Sequence, residues 1–158
     1  MAKTKASRAV TFLKRRGVNF EIVTYDHREK GAAAAAAATG FPLSSTVKTL
    51  VAEVAGTGPV LALMPGDREL SLKLLAKAFA GKRATMADPA AAERLTGYLV
   101  GGISPFGVRK PLPAAMEADL LNRDRVLING GGRGLMLRMK PDDIAAVLNC
   151  RTVRLIQE

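Results

Sequence analysis

Apolar residues recur at helical spacing from Thr4 to Arg16, where Ala6, Ala9, Val10 and Leu13 form a stripe between lysines and arginines. Gly17 supplies the stop. From Val18 to Tyr25 the period changes. Apolar and polar residues alternate, which predicts a half-buried strand with Phe20, Ile22 and Thr24 on one face. Ala32 to Ala38 is low in complexity, but alanine is the best helix former, so a short helix is expected to end near Gly40 and to be broken by Phe41-Pro42. Val47 to Val54 and Val60 to Met64 read as two strands joined through Gly56-Thr57-Gly58, a hairpin. Ser71 caps a helix that runs through Phe79 and stops at Gly81. Asp88-Pro89 opens another helix, with proline at its first position, ending before Gly97. Val126 to Asn129 and Leu135 to Met139 read as strands flanking a glycine loop. Pro141-Asp142-Asp143 starts a last helix to Leu148, and Thr152 to Ile156 reads as a closing strand.

Helices and strands therefore mix throughout, without a dinucleotide-binding fingerprint or an internal repeat. The expectation is one α+β domain over residues 1–158, large enough to close a single core. Nothing reads as a transmembrane span or secretory signal, so no membrane partner and a cytoplasmic location are expected.

Composition narrows the chemistry. With one cysteine, Cys150, and one histidine, His27, an intrachain disulfide is impossible and a Cys/His zinc site lacks ligands, so no metal or cofactor is expected. A Ser-His-Asp triad would have to use His27. That histidine is either a general base or an ordinary residue at a strand end. Cys150, beside Asn149 at a helix end, reads as a small buried apolar residue rather than a nucleophile. The formal charge of +10 and pI near 10.3 suit a polyanionic partner, and the basic residues run along the whole chain. With two tyrosines, five phenylalanines and no tryptophan, base stacking is a minor term, which favours backbone and shape recognition.

Three segments make unusual backbone demands. Gly97-Tyr98-Leu99-Val100-Gly101-Gly102-Ile103-Ser104-Pro105 holds adjacent glycines before a proline. Such a loop can aim consecutive N–H groups at one oxygen, or it can be a tight turn. Asn129-Gly130-Gly131-Gly132-Arg133-Gly134 lets a ligand lie against bare backbone with Arg133 on a phosphate, or it is a flexible connection. Lys48 opens an apolar strand, and its ammonium either projects from a sheet edge into a cleft or reaches solvent.

Together with Thr24-Tyr25-Asp26-His27, Lys48-Thr49-Leu50, Leu72-Lys73 and Met86-Ala87-Asp88, these segments resemble the YbaK-type prolyl-tRNA editing proteins over nearly the whole chain. Thr-Gly-Tyr-Leu-Val-Gly-Gly-Ile-Ser-Pro, from Thr96 to Pro105, is the most specific piece. The resemblance implies a mixed sheet, partly closed into a barrel, with surrounding helices. It implies a free-standing hydrolase for the ester of mischarged tRNA, with Cys-tRNA(Pro) the favoured substrate and Ala-tRNA(Pro) the main competitor. Prolyl-tRNA synthetase is a further partner on this view. The amides of Gly101, Gly102, Ile103 and Ser104, ahead of Pro105, would polarise the ester carbonyl, and Lys48 would hold the terminal adenosine or its phosphate. Tyr25 and Tyr98 would line the same pocket, joined as substrate contacts by His27, Asn129, Gly130, Gly131, Arg133 and Met136. No side chain acts as nucleophile in that family, and the substrate's thiol or a ribose hydroxyl assists.

Two departures bear on specificity. Met136 stands where some relatives carry a polar or acidic residue, and Asn129 where close relatives have serine. A lost hydrogen bond changes discrimination by about 1–3 kcal/mol or more, so the amino acid removed does not follow from the resemblance. Two other readings remain at this stage: a module that binds aminoacyl-tRNA or a synthetase without hydrolysis, and a basic DNA-binding protein, which rests on charge alone.

Overall fold

The computed structural model describes residues 7–26 and 31–158. Its centre is the predicted hairpin, β2 (Thr46–Val54) and β3 (Gly58–Pro65), closed in register from Val54 opposite Gly58 to Val47 opposite Pro65. Every residue from Val60 to Met64 is buried, so β3 is covered on both faces. The period of two divides its side chains between two layers. Val60, Ala62 and Met64 pack with Leu75, Ala76 and Phe79 of the helix α3 (Leu72–Ala78) and its C-cap. Leu63 packs on the other side with Ala9, Val10 and Leu13 of α1 (Arg8–Arg15) and Ile144 of α5 (Pro141–Leu148), and Leu61 with Ala92 of α4 (Pro89–Thr96).

The remaining strands are β1 (Glu21–Thr24), β4 (Ala84–Met86), β5 (Ala114–Glu117), β6 (Val126–Gly132), β7 (Leu135–Met139) and β8 (Arg151–Val153). The order is β1-β7-β6-β2-β3-β5-β8, with β4 off the path against β2. This is the expected mixed α+β sheet, with β1 and β8 at the two ends of the path. Among the described residues no helix is long and apolar enough to cross a membrane.

One topological detail positions the site. β3 occupies one edge of β2 along its whole length, so β6 and β4 must share the other. β6 runs parallel to β2 only at Thr46 and Val47, and β4 pairs only with Ala52, Glu53 and Val54. Apart from one bond, in which Ala87 N–H donates to Val51 C=O, the edge between them is open at Lys48, Thr49 and Leu50.

Several expectations change. α1 starts at Arg8, capped by the Ser7 hydroxyl, and the part of the predicted helix before Ser7 lies outside the described residues. In β1 the inward residue is Val23, packed near Ala35, Leu127 and Met136, while Ile22 is 47% exposed. β1 pairs only with β7, and its single covered face is the one towards the helix α2 (Ala32–Thr39). α3 stops with Ala80 in the left-handed region (φ 56°), and Gly81 sits where a Cβ would meet Val54 Cγ1 at 2.4 Å. The glycine run is not a loop. β6 continues through Gly132, with a bulge between Asn129 and Gly132, and the turn is Arg133-Gly134. The closing strand shrinks to β8, after which Leu155 is buried and Ile156 makes a lone bridge to Leu70.

Candidate active site

A cavity of about 360 Å³ opens at the free edge of β2. Val47, Lys48, Thr49 and Leu50 form one side, Gly31, Ala32 and Ala33 at the start of α2 another, and Gly101, Ile103, Asn129, Met136 and Tyr25 close it, with Gly66. Of the residues singled out in the sequence, the cavity gathers Tyr25, Lys48, Gly101, Ile103, Asn129 and Met136. Lys48 sits on an interior strand at its local gap, which combines an anchored backbone with an open flank. No ion pair among the described residues engages its ammonium.

The wall opposite β2 is made of two glycine segments in backbone contact. α4 is capped at its start by Asp88, whose carboxylate accepts from Ala91 N–H at 2.8 Å, and ends at Gly97 in the left-handed region. The following loop is tied at both ends of one residue: Val100 N–H donates to Glu93 Oε2 (2.8 Å), and Val100 C=O accepts from Arg133 Nε (3.2 Å) and Nη2 (2.9 Å). Gly102 N–H donates to Leu99 C=O at 2.8 Å, closing a turn. The amides of Gly101 and Ile103 have no acceptor among the described residues, and both residues face the cavity. Of the expected row of donors, Gly102 is thus occupied inside the loop. At Gly102 a Cβ would stand 2.9 Å from Arg133 N and from the Gly132 carbonyl carbon, which explains the glycine: backbone lies against backbone.

Asn129 joins the two segments. Its Oδ1 accepts from Gly131 N–H (2.7 Å) and Gly132 N–H (3.2 Å), its Nδ2 donates to Gly132 C=O (3.2 Å), and longer approaches reach Gly101 C=O (3.5 Å) and Met136 Sδ (3.8 Å). Gly131, at φ 100°, has Tyr98 behind it, where a Cβ would meet the ring at 2.8 Å.

The other expected contacts form the back of this wall rather than the cavity. Tyr98 is 6% exposed, and its hydroxyl donates to Phe106 C=O at 2.5 Å. Burial raises its pKa above that of an ordinary phenol, against the opposing pull of Arg8, whose guanidinium lies over the ring at 5.0 Å and donates to Thr96 C=O at 2.9 Å. Ser104 is fully buried and its Oγ accepts from Phe106 N–H at 3.2 Å, while Pro105 follows it into the core. Gly130 C=O accepts from the Ser7 hydroxyl at 2.5 Å. Gly102, Gly131 and Arg133 face a separate groove on the far side. His27 lies outside the described residues. Burial pushes the Cys150 thiol up to about 12, so it stays protonated at neutral pH and is no nucleophile.

Thr49 was missed in the sequence. Its Oγ1 is buried and, alone among the buried side-chain polar atoms of the described residues, has no hydrogen-bond partner. A hydroxyl left so costs about 1–3 kcal/mol, and Thr49 lines the cavity. The sequence cue was its place beside Lys48 in the segment Lys48-Thr49-Leu50, where no role was assigned to it. No group of three His, Cys, Asp or Glu side chains among the described residues is placed to hold a metal ion.

The model of the aminoacyl-tRNA editing domain matches residues 27–147. The chain belongs to this family. It is 36% identical over 110 residues, 70% of its length and 67% of the relative's, to a protein of Enterococcus faecalis (strain V583) described as a "Putative Cys-tRNA(Pro)/Cys-tRNA(Cys) deacylase". It is 33% identical over 128 residues, 78% of its length and 76% of the relative's, to the "Multifunctional Ser/Thr-tRNA deacylase ProXp-y" of Escherichia coli K12. Among solved structures, a "putative trans-editing enzyme for prolyl tRNA synthetase" superposes with a TM-score of 0.87 at 29% identity, covering 96% of each chain. The resemblance read from Thr96 to Pro105 and from Lys48-Thr49-Leu50 thus points to the family that these comparisons show. The editing fold, with its mixed sheet and flanking helices, is the architecture described above.

Proposed function

We propose that this protein hydrolyses the ester of mischarged aminoacyl-tRNA in trans, with Cys-tRNA(Pro) as its principal substrate. The observation that carries the reading is that Gly101 and Ile103, whose amides have no acceptor among the described residues, line one cavity with Lys48, which makes no ion pair among those residues. In this arrangement the ester carbonyl oxygen accepts from the two N–H groups, which sharpen as negative charge develops on it. Lys48 holds the terminal nucleotide through its phosphate or ribose oxygens. Overall, water adds to the carbonyl carbon, the bond to the ribose oxygen breaks, and that oxygen takes the proton. An aminoacyl ester is already activated, so positioning together with the substrate's own thiol or ribose hydroxyl suffices in place of a protein nucleophile. The positive charge of +10 favours the polyanionic carrier, and a prolyl-tRNA synthetase is the source of the mischarged species.

A second reading, a seryl or threonyl ester, is favoured by one feature: the unpartnered Thr49 hydroxyl, which a substrate hydroxyl would satisfy. Met136, close to Asn129, argues for the thiol instead, since a thioether beside the pocket suits a soft, weakly polar side chain.

The experiment follows release of labelled amino acid from Cys-, Ala-, Ser- and Pro-tRNA(Pro), with Lys48→Ala alongside. Rapid release of cysteine, with proline spared and the variant slowed at least about tenfold, is the expected result. Release of serine ahead of cysteine favours the second reading. If all four stay charged at high protein concentration while tRNA still binds, the protein is a non-catalytic binding module.

A further inference from the structure

We propose that the exposed flank of α3 and the turn after it dock the double-helical stem of the tRNA whose 3′ end enters the cavity, with Lys73, Lys77 and Lys82 on its phosphates. The inference rests on the editing reading, which makes the ligand of the cavity the end of a tRNA. Position decides which basic surface is meant. α1 also carries exposed cations, Lys14 and Arg15, but it packs through Val10 and Leu13 on the side of Leu63. Lys48 stands directly opposite Met64, and residues so paired share one face of a sheet. Met64 packs in the layer of Leu75 and Ala76, and Leu50 packs against the same layer. Lys48 therefore projects on the α3 side of the sheet, away from α1.

α3 also leads away from the cavity. β3 ends at Pro65, next to the cavity residue Gly66, and Ser71 caps α3 shortly after. At the other end Gly81 lies against Val54, and Phe79 C=O accepts from the Thr57 hydroxyl at 3.5 Å. From Lys48 to Val54, β2 covers about 20 Å. Alongside it, Lys73 lies in the first turn of α3, Lys77 about 6 Å further along the axis, and Lys82 beyond the helix end. All three are exposed, and no ion pair among the described residues engages them. The chain has no Asp or Glu from Leu70 to Ala87. Glu53, on the part of β2 that pairs with β4, alternates with Ala52 and Val54 and so faces the opposite side. Phe79 is the one aromatic residue of that stretch, and it is 7% exposed beneath the Arg151 guanidinium. A row of free ammonium groups without a ring for unpaired bases suits the backbone of a helical stem.

The test measures binding of two unacylated RNAs, an acceptor-stem hairpin ending in CCA and the unpaired oligonucleotide ACCA, between about 50 and 200 mM salt. Replacing Lys73, Lys77 and Lys82 together by Gln is expected to shallow the log–log salt slope for the hairpin by about 2 and to leave that for ACCA unchanged. Replacing Lys14, Arg15 and Arg94 by Gln removes the same charge elsewhere and should move the hairpin slope by less than about 0.5. Arginine at the three lysine positions should keep the wild-type slope. An unchanged hairpin slope in the first variant, equal losses in both glutamine variants, or a loss shared equally by ACCA overturns the docking surface. The readout needs no hydrolysis. Deacylation by a protein whose three lysines are silent removes the surface alone, whereas stem binding through them without deacylation keeps the surface and removes the editing reading.

Discussion

A methyl group added at Gly102 would stand 2.9 Å from Arg133 N, 2.9 Å from the Gly132 carbonyl carbon and 3.0 Å from Gly132 Cα. All three are backbone atoms, so no side chain can swing aside, and ordinary contact is reached only when the two glycine segments part by about half an ångström. Gly102 is not among the glycines with positive φ, so alanine has no conformational objection to the site. The effect of Gly102→Ala is steric and local. Overpacking of this kind costs about 1–3 kcal/mol, which in a chain of this size lowers Tm by roughly 2–4 °C for each kcal/mol. The functional cost is larger in proportion. Gly101 and Ile103, whose amides are proposed to polarise the ester, flank the substituted residue, and a misplacement approaching 1 Å can cost about a hundredfold. We expect single-turnover hydrolysis of labelled Cys-tRNA(Pro), measured well below the variant's Tm, to slow about 10- to 100-fold with little change in half-saturation. A variant that loses the expected Tm yet hydrolyses within twofold of wild type would refute the assignment of those amides.

Thr49→Val keeps the shape and removes the unpartnered hydroxyl. The variant should be more stable by about 1 kcal/mol in urea unfolding and slower in turnover, and a loss of stability would mean that the hydroxyl already has a partner. Glu117 is buried, with Oε2 accepting from Asp119 N–H (2.6 Å) and Oε1 from Leu155 (2.7 Å) and Ile156 (3.2 Å), which pins the C-terminal segment to β5. Glu117→Gln turns one acceptor into a donor and should cost about 2–3 kcal/mol in the same assay; a cost under about 0.5 kcal/mol would contradict the clamp. Because folding raises the Cys150 pKa to about 12, its contribution to stability is complete below the unfolded value of about 8.5 and is lost as pH climbs through that window. Cys150→Ala should flatten the fall of stability between about pH 8.5 and 10 and leave hydrolysis intact, and an unchanged slope would place the loss elsewhere.

Much of the fold was legible because its punctuation is chemical. Asp88 and Gly97 bound α4, Gly40 ends α2, and Ser71 caps α3. What was illegible lacked a period. β5, Ala-Ala-Met-Glu, is buried at every position and shows no alternation, and β4 is three residues long. The glycine run was read as a loop because glycine opposes strand, yet its bulge needs the freedom that glycine supplies. In the site, side chains betrayed Lys48, Tyr25, Asn129 and Met136, whereas Gly31, Ala32 and Ala33 contribute little beyond backbone, which carries no signature in a run of alanines. Tyr98 and Ser104 lie in the diagnostic segment but serve the wall from behind. Sequence proximity to Gly101 could not separate the residues that line the cavity from those that hold the loop.

Arg8 and Ser7 give that wall a history. The bond from Ser7 to Gly130 spans 123 positions and that from Arg8 to Thr96 spans 88, so the start of the chain is needed to brace a surface assembled from its last two-thirds. Contacts so distant in sequence close late, because loop-closure entropy must be met before they form. The β2–β3 hairpin, which joins residues near in sequence, is therefore able to close long before the wall behind the cavity does. That wall is complete only when α1 docks on the last glycines, so the cavity is among the latest features of the fold to take shape.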